Sequence, residues 1–427
     1  MPKTKIYSDT IEQAALNQFD AAMALPCVIQ GALMPDSHKG YSLPIGAVVK
    51  TRDRVFPGFV GYDIGCGVAS IELAIHHTAV DLVKLREHIL KTIPIGFNSH
   101  TSTKSSDLDF TGTSQLLQDL YSTKGVKQLG TLGGGNHFIE VGYLESNGNI
   151  AIVIHSGSRG FGHGVAAHYM REAASLSAES GWKTKRFEAG ADFEASNSQW
   201  FEHATSYTNF DDRATALASY NTALDRYIAA QKSQYMKQHD IEGLHSFDID
   251  SDLGKQYMID QNFCLNYAVA NRKAMLRAVT AGVLENIAPD DDIRIKRSIN
   301  RNHNHAEQLP DGTIIHRKGA THAEKGMYGV VPGNMRDGSF IVKGKGNPDS
   351  MCSSSHGAGR VLSRTKARAT LSLDEFRAET AKLVTNHTDD MLDEAPNAYK
   401  NIFEVMELQS DLVDVIDRVV PILNIKG

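Results

Sequence analysis

The chain has only four cysteines, Cys27, Cys66, Cys264 and Cys352, and no two of them form a CxxC pair. That spacing argues against a zinc ribbon or a disulfide framework, and reduced thiols in a cytoplasmic protein are the default expectation. No apolar run is long enough to cross a bilayer, and the opening Met1-Pro2-Lys3-Thr4-Lys5 lacks the apolar core of a secretory signal. Charge of one sign is not in large excess: 44 Lys and Arg face 50 Asp and Glu, a formal net charge of −6. An indiscriminate polyanion binder is disfavoured, whereas a local basic cleft for nucleic acid is not. Repeats and low-complexity tracts are lacking too. With 427 residues, 41% of them hydrophobic, a soluble globular protein with a substantial core is expected.

Chemistry-bearing residues are concentrated in short glycine-rich motifs. The densest is Ser353-Ser354-Ser355-His356-Gly357-Ala358-Gly359-Arg360. Glycines turn backbone N–H groups towards anionic oxygens, and an arginine fork matches phosphate. An imidazole held there by one ring nitrogen can attack phosphorus with the other; a Gly/Ser surface loop is the bland alternative. A second motif, Gly61-Tyr62-Asp63-Ile64-Gly65-Cys66-Gly67, delivers a carboxylate and a thiol together. A metal ion between them would ionise the thiol and neutralise both groups; a buried structural cysteine is the alternative.

Along the chain, residues 8–25 read as a helix with Asp9 and Glu12 spaced like a capping box. Cys27–Met34 reads as a strand, and Asp36 and His38 just beyond it suit support of a cleft rather than direct chemistry. Ile45–Lys50 and Val55–Val60 read as buried strands, 79–92 as an amphipathic helix, and 98–114 as a surface loop. Gly133-Gly134-Gly135-Asn136-His137 opens a strand-like segment, and the run Ile150–Ile154 ends in His155-Ser156-Gly157-Ser158-Arg159. Ligand sites gather at such strand ends. Helical periodicity over 165–180, 211–238 and 261–287 predicts a helix-rich insertion at about 165–290, closed by Pro289–Asp292. Arg272 falls on the apolar stripe of the last helix, where it either braces the site or snorkels to solvent. The apolar run ending at Lys426 suggests a docked C-terminus.

These motifs, together with Asn-x-x-His303-Asn304 and Arg317-Lys318-Gly-Ala, occur in the order seen in the RtcB family of RNA-splicing ligases, which the chain resembles over nearly its whole length. The resemblance implies an α+β fold, with packed central sheets flanked by helices around a metal cleft, in a single catalytic domain. It implies two Mn(II) ions bridged by Cys66 and completed by Asp63, His137, His155 and His303, with His356 as the guanylylated nucleophile. GTP or GMP would be held by Asn136, His303, Asn304, Ser339, His356, Gly357, Ala358, Gly359, Tyr399 and Lys426, and RNA or phosphate by Arg159 and Arg360. Three residues depart from the family's usual pattern: Asn302 (often His), His305 (commonly Tyr) and Asn334 (commonly Ser).

The activity implied is GTP-dependent joining of RNA 3′-phosphate or 2′,3′-cyclic phosphate ends to 5′-hydroxyl ends, in tRNA splicing or RNA repair. The expected partners are RNA and GTP, with an archease-type activator left open, no membrane, and a monomeric state. A mixed Cys/His/Asp set would hold several divalent metals, so manganese comes from the resemblance alone. Two other classes compete: a metal-dependent phosphohydrolase without a covalent nucleotide, and an RNA-end-binding protein that has lost activity.

Overall fold

The computed structural model describes residues 2–427 except 105, 239, 286 and 288–293; Pro289–Asp292 therefore lies outside the described residues. The chain divides into two compact units, one running to Ala167 and resuming at Phe247–Gly427, the other His168–Ser246. No helix among the described residues is long and apolar enough to cross a membrane.

The first unit is built on two sheets. A seven-stranded antiparallel sheet runs in the order Tyr328–Pro332, Ser339–Gly344, Val413–Lys426, Phe138–Leu144, Asn149–Ser156, Gly67–His76, Ile295–Asn302. Its outer strands approach each other, with Arg301 Nε donating to the Tyr328 carbonyl at 3.2 Å, so the sheet curls nearly closed. The last strand of the chain lies in mid-sheet, between Ser339–Gly344 and Phe138–Leu144, which fixes Lys426 opposite Phe138. A five-stranded sheet runs Lys3–Ile6, Val28–His38, Ile45–Thr51, Ile314–Lys318, Asn304–Gln308.

Alternation along the strands sends one set of side chains inward and the other against helices. Val68, Phe138, Val153, Ile299, Ile341 and Val419 form one cluster of the large sheet. Ile71, Leu73, Ile139, Ile152 and Ile154 pack with Met275, Leu276, Val279 and Val283 of the Asp252–Leu284 helix. Each such side chain contributes about 1.5–3 kcal/mol through burial. Ala32, Met34, Val48 and Ile315 of the smaller sheet share a third cluster with Val331, Phe340 and Val342 of the larger. Packed sheets flanked by helices is thus the architecture.

Two local expectations are overturned. The first helix is Gln13–Met23, and Glu12 makes no cap bond, because its carboxylate accepts from the Lys39 N–H at 2.6 Å. Val55–Val60 is not a strand: Arg54–Val55 pairs with Phe247–Asp248, and Pro57 then starts a helical turn, Pro57–Val60. Proline suits a first helical position because its missing N–H would have no partner there.

The second unit holds the later part of Arg159–Ser196, together with Ser198–Ser206 and Phe210–Lys237. Aromatic contacts join these helices, among them Trp182 with Tyr235 and Phe193 with Tyr220 at ring separations of 5.8 and 5.5 Å.

Candidate metal centre and nucleotide cleft

Gly65 and Gly67 shape the loop that carries Cys66. Gly65 takes φ +73°, a conformation costly for other residues, and a side chain at Gly67 would collide with the Arg301 carbonyl. Cys66 is thereby seated against neighbouring strand ends. Its Sγ lies 3.3 Å from His137 Nε2 and 3.2 Å from His155 Nε2. His137 Nε2 is 3.0 Å from Asp63 Oδ2, and His155 Nε2 is 3.3 Å from His303 Nε2. Two overlapping triads result, Asp63/Cys66/His137 and Cys66/His155/His303, each with its donor atoms within 4.8 Å of one another.

The electrostatics fit cations. Burial, and then the Asp63 carboxylate, push the Cys66 thiol well above its usual value, while Arg272 pulls it down. Burial alone would raise Asp63, but His137 outweighs it and holds the carboxyl at about 2. Burial and neighbouring imidazoles drive His155 and His303 well below the ordinary range, towards the neutral form that binds metal. The Asn136 carbonyl lies 3.2 Å from His155 Nδ1, an arrangement that directs the Nε2 lone pair at the cluster. Sulfur, imidazole and carboxylate donors thus converge where divalent ions would relieve an otherwise costly burial.

Arg272 proves to be a brace. Fully buried, it donates to the carbonyls of Gly65 and Ser156, both at 2.8 Å, and to the side chains of Asn300 and Asn302 at 2.8 and 2.6 Å. Asn302, one of the departures, therefore serves as its acceptor. Asn304 is a strut: it donates to the Asp63 carbonyl at 3.2 Å and accepts from the Gly319 N–H at 2.7 Å. Asn334 caps its own turn, accepting from the N–H groups of Arg336 and Asp337.

His356 stands beside the cluster, its ring 4.7 Å from that of His303. Its Nδ1 is 2.7 Å from Oδ2 of the fully buried Asp36. The contact is electrostatic rather than an aligned hydrogen bond; the same carboxylate oxygen accepts the N–H groups of His356 and Gly357 at 3.2 and 3.3 Å. Gly359, at φ +74°, lies so near the Asp36 carbonyl that no side chain would fit. Lys400 secures the other side by donating to the Pro35 and Ser37 carbonyls, both at 2.9 Å.

His155 and His356 border a cleft of about 760 Å³, which Asn136, Gly357, Ala358, Gly359, Tyr399 and Lys426 also line. At its far wall Lys426 Nζ lies 3.2 Å from Glu394 Oε2 and 4.9 Å from the centre of the Phe138 ring. Burial would raise Glu394, but Lys426 and Arg364 overcome it and keep the carboxyl below its usual value. Tyr399 donates to the same carboxylate. Arg360 is engaged internally, with Glu394, Tyr399 and the Leu362 and Asp393 carbonyls, and so braces this wall. Ser339 lies beneath, donating to Glu140 at 2.8 Å; burial lifts that carboxyl to about 7. Arg159 adopts φ +63° and donates to Thr131 Oγ1 and the Gly96 carbonyl at 2.9 and 2.6 Å. Glu394 and Lys400 were not given a role from sequence: no glycine motif marks them, and Lys426, Pro35 and Ser37, which they meet, lie far away in the chain.

A family model described as tRNA-splicing ligase RtcB matches residues 18–120 and 111–427. The chain belongs to the RtcB family. Among its RtcB relatives is RNA-splicing ligase RtcB1 of Escherichia coli ATCC 25922, 30% identical over 98% of this chain and 95% of the relative. RNA-splicing ligase RtcB of Escherichia coli K12 is 29% identical with the same coverage. The tRNA-splicing ligase RtcB of Methanococcus maripaludis is 26% identical over 94% of this chain and 89% of its own length. Six short motifs thus sit within an RtcB likeness that runs nearly end to end.

Proposed function

We propose that this RtcB-family protein is a GTP- and manganese-dependent RNA ligase that joins 3′-phosphate or 2′,3′-cyclic phosphate ends to 5′-hydroxyl ends. One observation carries the reading: Cys66 is common to two ligand triads, and His303 of one lies ring against ring with His356. Asp63, Cys66, His137, His155 and His303 would hold two Mn(II) ions. When bound, these neutralise phosphate oxygens and make phosphorus more electrophilic.

The chain's own groups perform the rest. Asp36 keeps a negative charge at His356 Nδ1, so that Nε2 carries the lone pair that attacks the α-phosphorus of GTP. An N–P bond forms, the bond to pyrophosphate breaks, and Asp36 offsets the positive charge on the ring. The backbone of Gly357–Gly359 would lie against the phosphate, and Tyr399 and Lys426, which line the same cleft, would face the base. An RNA 3′-phosphate oxygen then displaces the imidazole, giving an RNA–guanylate anhydride and restoring the lone pair. The 5′-hydroxyl oxygen attacks the RNA phosphorus, its proton goes to solvent, and GMP leaves as the phosphodiester forms. A cyclic phosphate is first opened by water in the same cleft. A monomer acting in the cytoplasm on tRNA halves or damaged RNA completes the proposal.

Incubation with α-labelled GTP and Mn(II), followed by denaturing electrophoresis, tests it. The wild-type chain should retain label and His356→Ala none. A phosphohydrolase would retain none in either, and label persisting on His356→Ala would refute the assignment.

A further inference from the structure

A second group of ligand-type side chains gathers at the edge of the five-stranded sheet, with no part in the chemistry above. His305 and Glu307 are two residues apart on the edge strand Asn304–Gln308 and so share a face. His322 arrives from the short strand Ala320–His322. The His305 and His322 rings are stacked, with their Nε2 atoms 3.0 Å apart. His322 Nδ1 lies 2.7 Å from Glu324 Oε1, an arrangement that puts its proton on Nδ1 and leaves Nε2 a lone pair. Arg317 Nη1, which can only donate, lies 3.3 Å from His305 Nε2 and so makes that nitrogen an acceptor as well. Two lone pairs then face each other at contact distance, which is repulsive unless a proton or a cation comes between them.

We propose that His305, Glu307 and His322 bind a single divalent transition-metal ion of the zinc class, separate from the Cys66 centre. Their donor atoms lie within 4.8 Å of one another. Two imidazoles and a carboxylate suit zinc, cobalt or nickel, and leave a fourth position for water. Two nitrogens on one tetrahedral ion sit about 3.4 Å apart at ordinary Zn–N lengths, so the rings need part only slightly. Glu307 is 42% exposed and His322 21%, which gives the ion a way in. Arg317 opposes a cation, but Glu307 at 2.9 Å and Glu324 at 3.7 Å give two carboxylates against its one charge. When the ion takes Glu307, Arg317 keeps Glu324, Ser353 Oγ at 2.9 Å and the Met351 carbonyl at 3.3 Å. Ser353 begins the strand that ends one residue before His356, so the ion would brace the segment carrying the nucleophile.

The full-length chain, stripped with chelator and reloaded with zinc alone, is compared with His322→Gln and Glu307→Gln by elemental analysis. Each variant should hold one equivalent fewer than wild type while still accepting label from GTP. Cobalt gives an independent reading: in Cys66→Ala the visible band typical of nitrogen and oxygen ligands should weaken when His322→Gln is added. Equal zinc content in wild type and both variants, or a cobalt band indifferent to His322→Gln, would mean a proton-bridged pair and overturn the proposal. Loss of labelling in Cys66→Ala alone would leave this site untouched, so the two centres fail separately.

Discussion

The Cys66 centre and the His305 cluster are both convergences of imidazoles at strand ends, each with a fully buried arginine behind it, yet they are built for different charges. Arg272 hydrogen-bonds only neutral acceptors, so its charge remains to favour a thiolate at Cys66. Arg317 stands between two carboxylates that neutralise it locally. The first centre borders a large cleft and touches His356; in the second, His305 is buried while His322 and Glu307 are partly exposed, and none of the three lines that cleft. Depth and residual charge, not the number of histidines, therefore set the two clusters apart.

That contrast can be broken at several points. Cys66→Ala, which takes the shared ligand from both triads, should reduce guanylylation to background, whereas Glu307→Gln should leave it unchanged; equal loss in both would erase the distinction. Arg272→Met leaves four acceptors without their donor and should cost about 1–3 kcal/mol in urea unfolding for each of the buried Gly65 and Ser156 carbonyls. Arg317→Met should cost less, because Glu307 can turn to solvent. Lys426→Met removes a charge-assisted contact worth about 1.5–3 kcal/mol, so the GTP concentration needed for half-maximal labelling should rise about 10–100-fold. An unchanged requirement would separate Lys426 from the nucleotide.

The smallest effect concerns His316, beside Arg317 on the same strand but on its opposite face. Phe56 N–H donates to its Nε2 at 3.0 Å, and burial drives the ring down to about 3 from an ordinary 6.5. The unfolded chain takes up that proton first. Stability is therefore full above about pH 6.5 and is lost as pH falls towards 3, by about 1.4 kcal/mol per pH unit. His316→Gln should flatten that slope in urea midpoints measured at pH 7, 6 and 5; an unaltered slope would mean that another group carries it.

The residues of the two triads were legible because short motifs carry them: Asp63 and Cys66 between glycines, His137 after three of them, His155 closing Ile150–Ile154, and His303 in an Asn/His-rich stretch. Asp36 was legible as a supporting residue, though its contact with His356 spans 320 positions and no local pattern encodes it. Arg272 could be flagged on its stripe, but not its destination, since its acceptors come from three distant segments. The Val55–Val60 error has a local cause, for apolar content alone does not separate a short strand from a turn opened by Pro57. Glu12 was misread because its partner, Lys39, is brought alongside only by the fold. His305 was visible from sequence as a departure, but its grouping with Glu307 and His322 was not, because His322 sits on a different strand.

The central claim is that His356 carries the nucleotide through Nε2. Peptide mapping of the wild-type chain after reaction with labelled GTP and Mn(II) tests it most directly. Acid-labile, alkali-stable label on the peptide containing His356, chased into RNA by a 3′-phosphate end, is the predicted result. Label on any other residue, or sealed RNA with no labelled protein at any time, would contradict it.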